Sequence, residues 1–366
     1  MKIFVEREKL LESVSNLSRA VMAGGTVPVL QGILLSAESS CLTMMAYNTE
    51  MGMTKKLPIR CEKEGDVVIN AKLLLDILRK QKGESVEIEV EENFLCHIRS
   101  LGAQFDLSGM KSTDFPEMPS VAVNKKLVIN AQTLKDMVRQ TAFAAASEET
   151  VRKVLSGIYF NLSASVLKLI AIDGNRLAIR KTRIENSEDI SFIVSAKSVS
   201  EAIKIAGGEQ ENIILKIGKT HISFESDGYT VISRLIEGEY IDYMRSIPPQ
   251  STFELTLDTR ELIDVIDRIS LIINDSFKTP IRLTFENNLI TFNSVSAIGR
   301  AKDEMAVNYK GEKFEIGFNS KYLLDAIKAT EEENIVIKFN NDVSAVSILP
   351  TEGDDFLYLV MPMKIR

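Results

Sequence analysis

Two acidic runs are the part of this sequence that suggests metal chemistry. The segments EVEEN (Glu89–Asn93) and EEEN (Glu331–Asn334) each place carboxylates close together, and carboxylate oxygens are the ligands that Mg²⁺ prefers. Both runs stand at turns beside strand-like segments, where solvated charge is usual. A carboxylate- and metal-dependent hydrolase is therefore one interpretation, but no motif supports it.

No other residues have the pattern of a catalytic centre. The two histidines, His97 and His221, stand inside strand-like segments, and the chain lacks a phosphate-binding loop, a zinc-protease helix and a nucleophile elbow. The cysteines, Cys41, Cys61 and Cys96, are odd in number and lack zinc-ligand spacing. These features favour a binding protein over an enzyme, and they predict no cofactor and no metal.

The chain is organised as a triplication. One set of similar segments runs over Gly65–Val90, Asp189–Ile217 and Lys313–Phe339, and a second set starts at Phe4, Leu127 and Phe253. Each segment of the first set reads as strand, capped helix, turn and strand. Alternating stretches such as SVEIEV, NIILKIG and NIVIKF are typical of half-buried strands in antiparallel sheets. The predicted fold class is α+β, with three tandem copies of a two-helix, antiparallel-sheet domain.

Polar, proline-bearing stretches mark the expected boundaries between the copies. They are KSTDFPEMPS (Lys111–Ser120) and RSIPPQST (Arg245–Thr252). We therefore predict domains at 1–120, 121–250 and 251–366.

Six amphipathic helices are predicted, and most begin with a capping residue. Expected helix starts are Arg7, Ala71, Ala131, Ala196, Thr259 and Ser320, and expected caps are Asn70, Asn130, Ser195, Asp258 and Asn319. The turn pairs Asp173–Gly174 and Asp227–Gly228 predict hairpins, because glycine tolerates positive φ.

Charge is distributed unevenly between the helices and the rest of the chain. The net charge is −7, yet the six predicted helices together carry +6, which leaves −13 elsewhere. Such a protein can present basic helices to a polyanion and repel it with its other surfaces. The alternative is that lysine simply suits the exposed face of a helix.

The start of the chain, MKIFVEREKLLE, has charges where a signal peptide would be apolar. No apolar run reaches membrane-spanning length. We therefore expect a cytoplasmic protein.

Three strings give the sequence a family resemblance: AIDGNRLAI (Ala171–Ile179), EGEYIDYMRSIPP (Glu237–Pro249) and YLVMPMKIR (Tyr358–Arg366). Together with the triplication and the length, they closely resemble the bacterial sliding clamps, the β subunits of replicative DNA polymerases. The resemblance covers the whole chain. It implies a non-enzymatic processivity factor whose head-to-tail homodimer forms a ring around double-stranded DNA, with helices lining the hole and sheet outside.

The resemblance also implies which residues contact DNA. Basic residues on the helices would face the hole and meet phosphates without reading bases: Arg19, Lys72, Arg79, Lys80, Lys135, Arg139, Lys197, Lys204 and Lys328. The loops at Gly24 and Glu149 offer no cation, so the helices are the expected contacts.

A groove between the second and third domains is the partner site that the resemblance implies. The expected residues are Leu155, Ile172, Gly174, Asn175, Arg176, Leu177, Ile241, Arg245, Ser246, Val343, Leu359, Val360, Met361, Pro362 and Met363. It would bind short linear motifs of the replicative polymerase subunit, the clamp loader, other polymerases and repair proteins. Asn175 and Ile241 stand where the family often has histidine and proline, so peptide preference is expected to differ in detail.

The ring would close through edge strands of the first and third domains. The expected segments are Ala103–Gly109 and Ala297–Met305, and the expected interface residues are Phe105, Asp106, Leu107, Leu271, Ile272, Arg300 and Lys302. We predict an ion pair between Asp106 and a basic residue of the other copy. A scaffold that binds peptides without encircling DNA is the main alternative.

Overall fold

The computed structural model describes residues 1–22, 24, 27–186, 188–205, 208, 211–273 and 279–365. Within these residues there are six α-helices, and they begin at the predicted positions. They are α1 (Arg7–Leu17), α2 (Ala71–Lys80), α3 (Ala131–Ala142), α4 (Ala196–Ala202), α5 (Thr259–Ser270) and α6 (Ser320–Lys328).

The predicted helix caps are confirmed. The side chains of Asn70, Asn130, Ser195, Asp258 and Asn319 each accept a hydrogen bond from a backbone N–H two or three residues further on, at 2.7 to 3.4 Å. Each such bond satisfies an amide that the first helical turn leaves without a partner, which is typically worth about 1 kcal/mol. The helix starts are thus encoded locally.

Twenty-five strands are present in the described residues. The first third of the chain contains β1 (Lys2–Glu6), β2 (Gly32–Glu38), β3 (Cys41–Tyr47), β4 (Met51–Pro58), β5 (Arg60–Lys63), β6 (Gly65–Asn70), β7 (Ser85–Val90), β8 (Leu95–Ser100) and β9 (Ala103–Ser108). The second third contains β10 (Lys125–Asn130), β11 (Gly157–Ser163), β12 (Val166–Ile172), β13 (Arg176–Arg183), β14 (Ile190–Ser195), β15 (Asn212–Ile217), β16 (His221–Ser226) and β17 (Tyr229–Arg234). The last third contains β18 (Phe253–Asp258), β19 (Ile281–Glu286), β20 (Leu289–Ser296), β21 (Gly299–Ala306), β22 (Phe314–Phe318), β23 (Asn334–Phe339), β24 (Val346–Pro350) and β25 (Phe356–Val360).

The strands form four antiparallel sheets in two compact units. Unit 1 (Met1–Leu134 and Glu201–Leu235) holds an eight-stranded sheet, β10-β15-β16-β17-β4-β3-β2-β6, and a five-stranded sheet, β5-β1-β7-β8-β9. Unit 2 (Lys135–Ser200 and Ile236–Arg366) holds an eight-stranded sheet, β14-β11-β12-β13-β25-β24-β23-β18, and a four-stranded sheet, β21-β20-β19-β22.

Each helix buries one face and exposes the other. In unit 1, α1 packs against α2, β3 and β4, and Val14, Leu74 and Leu78 are fully buried. Lys72 and Lys80 point from the opposite face of α2 and are exposed. The 3.6-residue period therefore leaves the basic side chains in solvent.

Each eight-stranded sheet joins strands from two different thirds of the chain. In unit 1, β4 of the first third pairs with β17 of the second, from Tyr229↔Lys55 to Ser233↔Met51. In unit 2, β13 of the second third pairs with β25 of the last, from Arg176↔Val360 to Arg180↔Phe356. These joints depend on long-range pairing that no local pattern encodes.

Two strands stand where a further joint of this kind would form. Each third of the chain contributes two sets of neighbouring strands. In the first, second and last third, one set ends at β4, β13 and β21 respectively, and the other ends at β9, β17 and β25. The joints pair β4 with β17 and β13 with β25, so one member of each set remains. Among the described residues, β9 and β21 each have a neighbouring strand on one side alone.

Candidate functional sites

An apolar cluster in unit 2 brings together groove residues predicted from separate parts of the chain. Ile172 at the end of β12, Leu177 at the start of β13 and Leu359 in β25 are buried in this cluster. Leu155 and Ile241 are partly buried and pack against it. These five residues thus pack into one apolar cluster, although up to 204 positions separate them in the sequence.

The predicted Asp173–Gly174 turn lies beside this cluster. Gly174 has φ of +92°, a conformation that favours glycine. The Asp173 carboxylate accepts hydrogen bonds from the backbone N–H groups of Asn175, at 2.8 Å, and Arg176, at 3.0 Å. Asn175 is exposed, and its carbonyl accepts a bond from the Met361 N–H at 2.7 Å. The turn therefore holds the end of β25 in place.

Arg176 is engaged within the chain. Its Nε lies 3.0 Å from Asp173 Oδ2, and its Nη1 lies 2.6 Å from Asp325 Oδ2. The guanidinium carbon lies 4.4 Å from the ring centre of Tyr322 and 5.6 Å from that of Phe143. The side chain is 11% exposed. Such a clamped guanidinium fixes the turn against α6.

The chain segments that adjoin the cluster residues in sequence, which we call its rim, are exposed and mix apolar with basic groups. Val343 is 64% exposed, Met244 60% and Met361 39%. Arg245 and Ser246 are exposed in the same segment as Met244, and Arg245 Nε lies 2.8 Å from Asp242 Oδ2. Exposed methionine is adaptable, so this rim can contact side chains of more than one shape.

The remaining predicted groove residues continue from β25 towards the four-stranded sheet. Val360 is fully buried and pairs with Arg176 in β13. Pro362 is half-buried. The Met363 N–H donates to the Gly317 carbonyl at 2.8 Å, which attaches the last residues to β22.

Most of the predicted DNA-contacting residues are exposed, and most pair with a carboxylate. Lys135 is half-buried and the others are exposed. The ion pairs are Arg19–Glu201, Arg79–Asp76, Arg139–Asp136, Arg139–Glu331, Lys197–Glu148, Lys204–Glu201 and Lys328–Asp267. Among the described residues, no carboxylate lies within ion-pair distance of Lys72 or Lys80.

The edge strand β9 alternates apolar and polar side chains. Phe105 and Leu107 are half-buried, while Asp106 is exposed. Asp106 Oδ1 lies 2.6 Å from His97 Nδ1, and Glu91 Oε1 lies 3.1 Å from His97 Nε2. Hydrogen bonding to both carboxylates, that of Asp106 first, raises the pKa of His97 above its usual value. Asp106 therefore already has a partner in its own chain.

The edge strand β21 carries the basic residues predicted for the opposite side of the joint. Arg300 and Lys302 are exposed, and Lys302 Nζ lies 2.6 Å from Glu304 Oε1. Leu271, just after α5, is 81% exposed, and Ile272 is half-buried. Since α5 packs against β21, these apolar residues directly follow the helix beside the edge.

Three profiles of one family match the chain in order. They describe the N-terminal, central and C-terminal domains of the DNA polymerase III beta subunit, and they match residues 1–119, 128–242 and 244–364. The chain belongs to the DNA polymerase III beta subunit family.

Individual relatives agree with this assignment along the full length. The beta sliding clamp of Bacillus subtilis is 29% identical, with all of both chains covered, and a solved sliding clamp from that organism superposes with a TM-score of 0.94 at 28% identity, again over all of both chains. A solved Pseudomonas aeruginosa sliding clamp bound to griselimycin gives a TM-score of 0.92 at 25% identity, covering all of both chains. The chain therefore has the sliding clamp fold, with three tandem clamp domains.

Sequence reasoning missed three tyrosines and one isoleucine of the apolar cluster. Tyr159, Tyr240, Tyr243 and Ile247 pack against it. The rings of Tyr159 and Tyr240 stack with centroids 4.9 Å apart, and burial raises the pKa of Tyr240. The string EYIDYMRSIPP contained three of these residues, but its lack of a regular period gave no sign of which side chains face inward.

Two exposed apolar residues beside β21 were not named among the expected interface residues, although one of them, Ile298, lies in the expected segment Ala297–Met305. Val295 is 58% exposed and Ile298 74% exposed, at the hairpin that leads into the edge strand. Isolated exposed apolar residues are common. Their position beside an edge became visible once the strands were placed.

The acidic runs contain carboxylates that pair with arginine. Glu89 Oε2 lies 2.7 Å from Arg99 Nη1, and Glu331 Oε1 lies 2.5 Å from Arg139 Nη1. Hydrogen bonds from these arginines lower the pKa of both glutamates. Across the described ranges, no group of three or more His, Cys, Asp or Glu side chains is placed to hold a metal ion.

A search of the described residues for membrane-crossing helices found no candidate with enough length and apolar character.

Proposed function

We propose that this protein is the processivity factor of a bacterial replicative DNA polymerase. In this role it is a non-enzymatic, cytoplasmic homodimer that closes head to tail around duplex DNA and holds replication proteins through a peptide groove. We propose clamp domains at 1–120, 121–250 and 251–366, with the residues assigned above to DNA contact, groove and interface.

The observation that carries this proposal is the pair of matching open edges. Strands β9 and β21 belong to the two strand sets that pair twice within the chain, once at β4–β17 and once at β13–β25. In a dimer, β9 of each copy can pair with β21 of the other copy, which makes a joint of the same kind at both contacts and leaves neither strand with an open edge. A head-to-tail contact that closes after two copies is a ring.

The charge distribution supports DNA as what the ring encloses. Basic residues are exposed on the helices, which together carry +6, whereas the rest of the chain carries −13. Cations that meet phosphates without base contacts bind any sequence. A closed ring needs no strong attraction, because its topology retains it on DNA.

The apolar cluster with its exposed rim supports the binding of short peptides. Its buried core contains Ile172, Leu177 and Leu359, and Met244 and Met361 stand exposed in the segments that adjoin it in the chain. An apolar cluster flanked by adaptable methionines and by the exposed Arg245 suits a segment with apolar anchors and an acidic or carbonyl group. We propose the polymerase subunit, the clamp loader, other polymerases and repair proteins as ligands.

Retention on circular DNA tests the proposal. The protein would be loaded onto a nicked plasmid with its cognate clamp loader and ATP, washed at high salt, and then released by cutting the circle. Survival of the wash followed by loss on linearisation is the expected result.

Two outcomes would overturn the proposal. If the protein does not survive the wash while a known clamp does in parallel, encirclement fails and a peptide-binding scaffold becomes the leading function. If the protein stays bound after linearisation, retention comes from affinity rather than from a closed ring.

A further inference from the structure

We propose that Glu201 and Glu331 act as built-in competitors of DNA phosphate, holding the basic residues that would otherwise grip the duplex. This inference rests on the proposed function, because it concerns the helix surface that would face DNA. It assigns a role to carboxylates that the DNA-contact prediction left out.

Glu201 holds two of the predicted DNA contacts. One carboxylate oxygen, Oε2, lies 3.3 Å from Arg19 Nη1, and the other, Oε1, lies 2.6 Å from Lys204 Nζ. The Glu201 side chain is 21% exposed, whereas Arg19 is 39% exposed and Lys204 46%. The carboxylate thus sits below its two partners, which remain open to solvent and to a ligand.

In unit 2, Glu331 pairs with Arg139, which also lies 3.1 Å from Asp136; the carboxylate (52% exposed) and the guanidinium (47%) are about equally open to solvent. Its Oε1 lies 2.5 Å from Arg139 Nη1, and its Oε2 accepts a hydrogen bond from Gln140 Nε2 at 3.3 Å. Glu331 has a backbone φ of +57°, a conformation that is uncommon for residues other than glycine. The backbone after α6 therefore adopts an unfavoured conformation at the residue whose carboxylate reaches α3.

The same arrangement recurs at other predicted contacts. Lys197 pairs with Glu148 at 3.3 Å, Lys328 with Asp267 at 3.0 Å and Arg79 with Asp76 at 3.9 Å. Surface ion pairs add little stability, so these cations can leave their carboxylates at little cost to the fold. Competition between carboxylate and DNA phosphate fits a protein required to slide.

Competition changes how DNA binding depends on salt. A free cation that meets a phosphate releases a counterion from DNA, which gives a logarithmic slope of about −0.9 per contact. A paired cation must first leave its carboxylate, and that carboxylate then takes up a cation from solution. The net release is close to zero, so contacts made by exchange are weak and nearly independent of salt.

Glu201→Gln and Glu331→Gln in the full-length protein test this directly. Binding to a fluorescent duplex would be followed by anisotropy over a series of salt concentrations, and diffusion of the loaded protein would be followed on stretched DNA. Glu201→Gln frees two cations, so its slope should steepen by up to about 1.8 per subunit. Glu331→Gln leaves Arg139 paired with Asp136 at 3.1 Å, so its slope should steepen by less than about 0.9. Both variants should bind more tightly at low salt and diffuse more slowly.

Glu225→Gln is the matched control. Glu225 pairs with Lys216 at 2.7 Å, between strands β15 and β16 rather than on a helix. This variant should keep the affinity, slope and diffusion of the unmodified protein.

The outcomes separate this inference from the proposed function. Unmodified protein that fails to stay on circular DNA overturns the proposed function and the inference with it. Unmodified protein that is retained and slides, with variants of unchanged slope and diffusion, overturns the inference alone. A steeper slope in the Glu225→Gln control also overturns it, because any lost negative charge would then have the same effect.

Discussion

Replacing Leu271 with alanine should weaken the proposed dimer and leave each subunit folded. The side chain is 81% exposed in the single chain, so its truncation removes little from the subunit's own core. Leucine exceeds alanine by three carbons, and each buried CH₂ is worth about 0.8 kcal/mol. Burial of the exposed part of Leu271 at the joint therefore corresponds to about 2 kcal/mol.

The ring geometry doubles this effect. A head-to-tail dimer contains two identical joints, and each joint has one Leu271. The dimer should lose about 4 kcal/mol, which raises its Kd by roughly a thousandfold. Subunit exchange between labelled copies, followed by fluorescence transfer over a dilution series, measures this ratio for the variant and the unmodified protein.

Val151→Ala is the control for this prediction. Val151 is 99% exposed in the same unit but belongs neither to the edge strand nor to α5 and the residues that directly follow it, so its loss should not change the Kd. An unchanged Kd for Leu271→Ala would refute the placement of Leu271 in the joint. A drop of several degrees in the melting temperature of dilute monomer would show instead that Leu271 supports the subunit fold.

Three further substitutions test local features. Its carboxylate partners raise the pKa of His97, so the stability that they add is fully present below the usual pKa of 6.5 and is lost as pH rises through the raised pKa. The thermal unfolding temperature of His97→Gln should therefore lose this pH dependence. An unaltered pH profile would contradict the assignment. Arg176→Ala should lower the free energy of unfolding in urea titrations by about 2 kcal/mol, because Asp173 and Asp325 lose their cation at a largely buried site. Arg176→Lys should recover part of this free energy. Equal stability of Arg176→Ala and the unmodified protein would show that these ion pairs are dispensable. Asn319→Ala should cost about 1 kcal/mol in the same assay because two amides of α6 lose their acceptor, and no measurable loss would show that water replaces the cap.

Several elements of the fold could be predicted because their signals are local. The start of α2 depends on Asn70 and the apolar residues that follow within a few positions, and the structure has the helix at that place. The strand Asn334–Phe339 was visible from its own alternation. The triplication and three short strings were enough to recognise the family.

The candidate sites were predictable in their residue types but not in their contacts. Arg176 was expected to hold peptide groups, yet it is clamped by Asp325, which is 149 positions away. Glu201 and Glu331 gave no sequence signal as partners of the helix cations. An ion pair between residues far apart in the chain forms only when the packing of the helices brings the two side chains together. A single sequence does not show which side chains become neighbours in this way.

The sequence by itself determined the repeated strand–helix units, their caps, the amphipathic faces and the excess of positive charge on the helices. These follow from periodicity and capping within a few residues of each site. Tertiary structure alone decided which strands pair across thirds, which leaves β9 and β21 with open edges. Strand pairing satisfies backbone groups far apart in the chain, so the local sequence cannot choose among equivalent partners, and packing of the whole unit makes that choice.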